Sequence, residues 1–118
     1  LTYDTVFDNK AGSMNTAACS NGPHGLASKF PTFGDLPDYP YVGGVFAVSS
    51  WNSANCGTCW AVTYPETGVT INVLAIDVAS PGFNVAQAAM DKLTNGKATQ
   101  LGKVEVNVEQ VPTSACKL

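Results

Sequence analysis

Four cysteines, at positions 19, 56, 59 and 116, constrain this chain more than any other feature. An even count in so short a sequence reads as two disulfides, which form and persist in oxidising surroundings. Three connectivities are open. Closure from Cys19 to Cys56 and from Cys59 to Cys116 would span several dozen residues each, worth roughly 4 kcal/mol per bridge in loop entropy. A Cys56–Cys59 bridge would close a tiny loop and constrain little. Two long bridges are therefore favoured, though the residues alone do not choose among the pairings. With 118 residues there is room for one core and one domain, 1–118.

Charge narrows the partners. Charged residues make up only 13% of the chain, nine acidic against six basic, and every basic residue is Lys. Arg is the usual reader of phosphate, so its absence, together with the lack of any basic run, argues against nucleic acids, anionic membranes and phosphorylated substrates. A neutral partner fits better. No apolar run reaches the roughly 18 residues that span a bilayer. The chain opens on Leu1 with no apolar leader behind it, as expected of a processed, extracellular protein.

Ser20–Gly44 is crowded with Pro and Gly and reads as turns around short elements. Leu1–Phe7 and Val45–Val48 are candidate strands. Cys59–Tyr64 and Val69–Asp77 flank Pro65 and Gly68 as a hairpin. Leu74 and Ile76 make the second face of the latter strand apolar too, which predicts burial on both sides. Asn84–Leu93 carries a helical stripe of Val85, Ala86, Ala89, Met90 and Leu93. Asn84 is placed to cap its start, and Asn95-Gly96 to end it. Val104–Glu109 alternates as a half-exposed strand, with Glu105 and Glu109 about 13 Å apart on a solvated face. The whole is mainly β with one or two short helices, in the manner of a small barrel.

Asp77 is the most informative carboxylate, ending the most apolar strand beside the small-residue loop Val78–Phe83. A carboxylate at such a mouth suits a general acid or a firm acceptor for sugar hydroxyls, or else caps backbone amides of the loop. Glycoside hydrolysis needs a second carboxylate, for which Asp4 and Asp8 are the candidates. Cys56-Gly57-Thr58-Cys59-Trp60 comes close to a thiol-protease element, but the single histidine, His24, lies upstream of it. One Cys-x-x-Cys without a partner pair is also no zinc site, and neither metal nor cofactor is expected. His24 reads as a structural loop residue or a polar contact in a groove. The aromatics of Phe30–Phe33 and Tyr39–Tyr41 either cover the ends of the fold or stack on sugar faces.

Several stretches together resemble one family, the cerato-platanins of filamentous fungi. They are Cys19-Ser20-Asn21-Gly22 with Gly25-Leu26, Tyr41-Val42-Gly43-Gly44, Trp51, Cys56-Gly57-Thr58-Cys59-Trp60, Asp77 with Gly82-Phe83-Asn84, and Cys116. The resemblance implies a six-stranded double-psi β-barrel related to the expansin domain, with Cys19–Cys56 and Cys59–Cys116 bridges. It implies a small secreted protein of the fungal wall and medium that binds chitin-type N-acetylglucosamine oligomers, and by extension β-glucan or cellulose. Wall loosening without hydrolysis, self-association, and recognition by a plant receptor as an elicitor or phytotoxin are implied as well. By the same resemblance Asp77 is the groove aspartate, and Ser20, Asn21, Gly22 and Asn84 add hydrogen bonds to sugar. The expansin pattern has His and Phe before that aspartate, where this chain has Ala75 and Ile76.

The resulting expectation is a secreted, non-catalytic carbohydrate binder. Asp77 anchors a shallow polar groove, Tyr3 offers a stacking platform and Asp4 sits nearby. A weak glycosidase using Asp77 with a second carboxylate, and a surface-active assembly protein, are the alternatives.

Overall fold

A computed structural model describes residues 1–79 and 82–118. Two of the loop residues after Asp77, Ser80 and Pro81, lie outside the described residues. Six strands form one mixed sheet: β1 (Thr2–Tyr3), β2 (Val42–Val45), β3 (Cys59–Tyr64), β4 (Val69–Val78), β5 (Phe83–Val85) and β6 (Asn107–Val111), in the order β1-β5-β2-β4-β3-β6. Two short helices, α1 (Gln87–Thr94) and α2 (Ala98–Leu101), complete the regular structure with four 3₁₀ turns. The strand count and the mainly-β class are as expected, but the sheet stays open instead of closing into a barrel, with β1 and β6 as its edges. Beside those edges Leu1 and Val104 exchange two backbone hydrogen bonds, of 2.8 and 3.0 Å.

β3 and β4 form the expected hairpin, pairing from Cys59 opposite Leu74 to Tyr64 opposite Val69. β4 is flanked on its other side by β2, in parallel. Val73, Leu74, Ala75 and Ile76 are wholly buried, as the apolar run on both faces predicts. Phe33, Met14, Met90 and Leu93 pack with them in the core. Disulfides join Cys19 to Cys56 and Cys59 to Cys116, with Cα separations of 5.5 and 5.8 Å. That is the pairing the resemblance implied.

Four boundaries differ from expectation. The first strand is only Thr2–Tyr3, because the Asp4 carboxylate accepts the Val6 amide (3.0 Å) and starts a 3₁₀ turn over Thr5–Asp8. β2 begins at Val42 and runs through Gly43-Gly44, which the sequence presents as turn residues. A Cβ on Gly43 would lie 2.4 Å from the Asn84 carbonyl oxygen, and one on Gly44 2.5 Å from that of Val78. These glycines therefore mark close backbone approach inside a sheet. β6 starts at Asn107 rather than Val104, since Val104 spends both backbone groups on Leu1.

The fourth concerns α1, which starts at Gln87 instead of Asn84. Asn84 belongs to β5, and a different residue supplies the cap. The amides of Gln87 and Ala88 donate to the two carboxylate oxygens of Asp8, at 2.7 and 3.0 Å. An anion at a helix start meets both the free amides and the positive end of the dipole. Asn95, in the left-handed conformation (φ 59°), closes the helix as expected. The stripe residues Val85, Ala86, Ala89, Met90 and Leu93 are all buried.

Candidate functional site

The register of the sheet sets a polar row across four strands. Thr2 pairs with Asn84, Asn84 with Gly44, and Gly44 with Asp77. Directly paired residues share a face and adjacent strands lie about 4.8 Å apart, so Asn84 and Asp77 stand roughly 10 Å apart with Gly44 between them. The Thr2 hydroxyl donates to Asn84 Oδ1 (2.9 Å), which fixes the amide and leaves its Nδ2 outside that bond. Gly44 itself is buried, and the space a side chain would take there is filled by the Val78 carbonyl (2.5 Å) and the Ala79 side chain (3.2 Å).

Asp77 is half-buried near the end of β4. Its Oδ1 accepts the amides of Ala18 (2.9 Å) and Val78 (2.8 Å), leaving Oδ2 outside both bonds. This carboxylate thus ties the loop after the first 3₁₀ turns to the strand end. The next residue continues the tie, since the Cys19 amide donates to the Ile76 carbonyl (3.1 Å). Ser20 and Asn21 follow, with the Ser20 carbonyl accepting the Ala27 amide (3.0 Å). Gly25 lets the loop fold over tightly, as a Cβ there would sit 2.2 Å from the Ser20 carbonyl oxygen.

Two residues that sequence reasoning did not assign to the site complete it. The Trp51 indole N–H donates to Asn21 Oδ1 (2.6 Å), while its ring is 55% exposed. Asn52 uses its amide on the Ala18 carbonyl (3.3 Å) and its Oδ1 on the His24 amide (2.8 Å). Ala18 is therefore held at its amide by Asp77 and at its carbonyl by Asn52. Asn21, Gly22, Trp51 and Asn52 lie together and are linked through Ala18 to Asp77, whereas Ser20, expected to bond sugar, is buried. An exposed indole beside fixed amides and a half-buried carboxylate is suited to a ring with apolar faces and hydroxyl edges.

Other named residues fall elsewhere. Tyr3 pairs with the buried Val85, on the face opposite the row, and packs against the core. Asp4 and Asp8 each accept backbone amides at the starts of helical turns. His24 is exposed. Glu105 and Glu109 are exposed too. Among the described residues no three His, Cys, Asp or Glu side chains gather to hold a metal ion, and no helix is long and apolar enough to cross a membrane.

One further carboxylate stands out. Asp38 is 6% exposed, and neither carboxylate oxygen has a hydrogen-bond partner among the described residues. Burial pushes it up to about 7, against the opposing pull of its own backbone amide and then of Lys117. The signal available in the sequence was an aspartate between two prolines, Pro37-Asp38-Tyr39-Pro40, in a segment where turns normally expose such groups.

Comparison with known proteins places this arrangement. The family model described as Cerato-platanin matches residues 1–118. The chain is 47% identical to "Allergen Asp f 15" of Aspergillus fumigatus, over 98% of this chain and 75% of the relative. It superimposes on the crystal structure of cerato-platanin 3 from M. perniciosa with a TM-score of 0.95 at 50% identity, covering 99% of this chain and 96% of that one. The solution structure of the fungal elicitor Cerato-Platanin matches with a TM-score of 0.89 at 42% identity, over 98% and 93% of the two chains. Fold and sequence agree over nearly the whole chain, which belongs to the cerato-platanin family.

Proposed function

We propose that this protein is secreted and binds neutral polysaccharide, with N-acetylglucosamine oligomers as its first ligands, at Asp77, the Ser20–Gly22 loop and Asn84. The observation that carries this reading is the exposed Trp51, bonded to Asn21 and next in sequence to Asn52, which holds the same Ala18 that Asp77 holds. Polar groups fixed by backbone bonds compete for hydroxyls without paying to order themselves. Bound in this way, the protein loosens wall material by exchanging inter-chain hydrogen bonds for its own, with no covalent step. The same surface is what a plant receptor would read, in keeping with the relative named a fungal elicitor. Supporting a non-catalytic role, Asp8 has both oxygens committed to the amides that start α1.

A ¹⁵N-detected titration with N-acetylglucosamine oligomers, run beside a reducing-sugar assay, tests this. Shifts at Asp77, Ser20–Gly22 and Asn84 without released sugar are expected. Asp77→Ala, checked for an unchanged fold by circular dichroism, should lose about tenfold or more in affinity, the worth of a charge-assisted hydrogen bond. Product release would establish a hydrolase instead, and an unaltered affinity in the folded variant would remove Asp77 from the site.

A second reading, surface activity, rests on a separate observation. Phe46 is 51% exposed and its ring meets those of Trp60 and Phe83 edge-on, at 5.4 and 6.0 Å. It borders an apolar cavity of about 460 Å³ lined also by Val104, Val106 and Val108. Film formation at an air–water interface, weakened by Phe46→Ser, would support that role.

A further inference from the structure

We infer that Asn21-Gly22 is a site of spontaneous covalent modification, at which the folded protein converts the Asn21 side-chain amide into a carboxylate through a cyclic imide, with the Trp51 indole N–H as the activating donor. The chain holds two Asn-Gly pairs, Asn21-Gly22 and Asn95-Gly96, and all four residues are exposed. A following glycine favours such ring closure, because no side chain shields the attacking amide and the backbone turns freely. By sequence and exposure the two pairs are equal. Hydrogen bonding separates them.

The attacking backbone nitrogen must first shed its proton. At the second pair that proton is engaged: the Gly96 amide donates to the Asp91 carbonyl (2.8 Å), which also accepts the Asn95 amide. Asn95 stands in the left-handed conformation that closes α1, so reaction there would undo a helix cap. The Gly22 amide donates to no group among the described residues, and Gly22 (φ 90°) belongs to no strand or helix. The Asn21 side chain has a donor of its own, since its Oδ1 accepts the Trp51 indole N–H at 2.6 Å. That oxygen gathers negative charge as nitrogen adds to Cγ, and the indole therefore favours the tetrahedral intermediate over the neutral amide.

The step balances with water alone, and nothing is oxidised or reduced. The Gly22 nitrogen gives its proton to hydroxide and bonds to Asn21 Cγ. The Cγ–Nδ2 bond breaks, and the amide nitrogen leaves as ammonia with a proton from water. Water then opens the imide. Cleavage of the new N–Cγ bond leaves aspartate at position 21; cleavage of the backbone C–N bond leaves isoaspartate, whose main chain is one methylene longer. Either product adds one negative charge to a formal net charge of −3. Isoaspartate also shifts the loop against Trp51 and Asn52, where there is no slack: a Cβ on Gly22 would lie 2.9 Å from Asn52 Oδ1 and 3.1 Å from Trp51 Cζ2. A loss of saccharide affinity follows, and that consequence alone rests on the function proposed above.

The test incubates the full oxidised chain in mildly alkaline H₂¹⁸O, then reduces it and cleaves it after lysine in ordinary water. Mass spectrometry reads peptides 11–29 and 93–97, which carry Asn21 and Asn95, and fragmentation separates Asn21 from Asn15. Uptake of ¹⁸O at Asn21 should exceed that at Asn95 about tenfold or more, the effect of roughly one hydrogen bond, and should rise with pH. With both bridges reduced in urea the two pairs should react alike. Trp51→Phe keeps a ring but no donor, and should slow Asn21 about tenfold without changing Asn95. Equal uptake at the two pairs in the folded chain, or faster uptake at Asn95, would overturn the site. Undiminished uptake in Trp51→Phe would refute the indole's part in it. Ion exchange then isolates the aged chain by its added charge for titration with N-acetylglucosamine oligomers. Weaker binding supports the stated consequence, whereas unchanged binding would take Asn21 out of the saccharide site and leave the modification standing.

Discussion

Asp8 and Asp77 are chemically alike, and each is spent on two backbone amides, yet they do different work. Asp8 covers the start of α1 with both oxygens, a cap supplied from 79 residues away. Replacing it with Ala leaves two amides unpaired at the positive end of the helix. Caps of this kind are worth about 1–2 kcal/mol, so Asp8→Ala should lower the urea midpoint without altering saccharide binding. Equilibrium denaturation followed by circular dichroism measures this; an unchanged midpoint would show that water replaces the carboxylate at no cost. Asp77 uses only Oδ1 in this way, so its Oδ2, unlike either oxygen of Asp8, is left for ligand contact.

At the scale of elements, the central strands could be read from the chain and the joints could not. Cys59–Tyr64 and Val69–Val78 announce themselves by β-branched residues around Pro65 and Gly68, and Asp77 was legible because it ends the most apolar of them. Asn84 was misread because a polar residue before an apolar stripe looks the same locally whether it caps a helix or sits in a three-residue strand. Gly43-Gly44 was misread for a similar reason, since a turn and a close strand contact ask for the same residue. Trp51 and Asn52 join the site only through the packing of a distant loop, which no local pattern encodes. The glycine contact gives a prediction of its own. In Gly43→Ala the new Cβ meets the Asn84 carbonyl oxygen at 2.4 Å and Val85 Cα at 2.6 Å, both backbone atoms that cannot swing aside. The variant should lose about 1–3 kcal/mol of stability and displace Asn84, weakening saccharide binding as well. Denaturation and titration of the same sample would check both effects.

For the molecule as a whole, Asp38 sets a pH dependence. Folded, its carboxyl ionises at about 7 against an ordinary 3.8, with burial as the main cause. Below the lower value both states are protonated and the folded state keeps this contribution in full. Between the two the unfolded chain has lost the proton and the folded chain has not, so stability falls as pH rises, by up to about 1.4 kcal/mol per unit. Above 7 the slope from this group ends. Lys117 and Lys92, with Tyr39 and Tyr41, are the titratable groups around it, and Lys117 moderates the loss. Urea midpoints of the natural chain and Asp38→Asn, compared from pH 4 to 8, should converge on the acid side and separate above it. Parallel curves would mean that Asp38 is ionised throughout.

The two bridges also partition the chain mechanically. Their loops are consecutive and do not overlap, with Cys56 and Cys59 almost adjacent at the junction. Pulled between its first and last residues, the oxidised molecule can therefore pay out only the segments 1–19, 56–59 and 116–118, and most of the core lies inside loops that carry no tension. Reducing one bridge releases 37 residues and the other 57, or roughly 120 and 190 Å of extended chain. Force spectroscopy in a reducing buffer would record those two lengths as separate steps, so that each thiol pair reports its own opening.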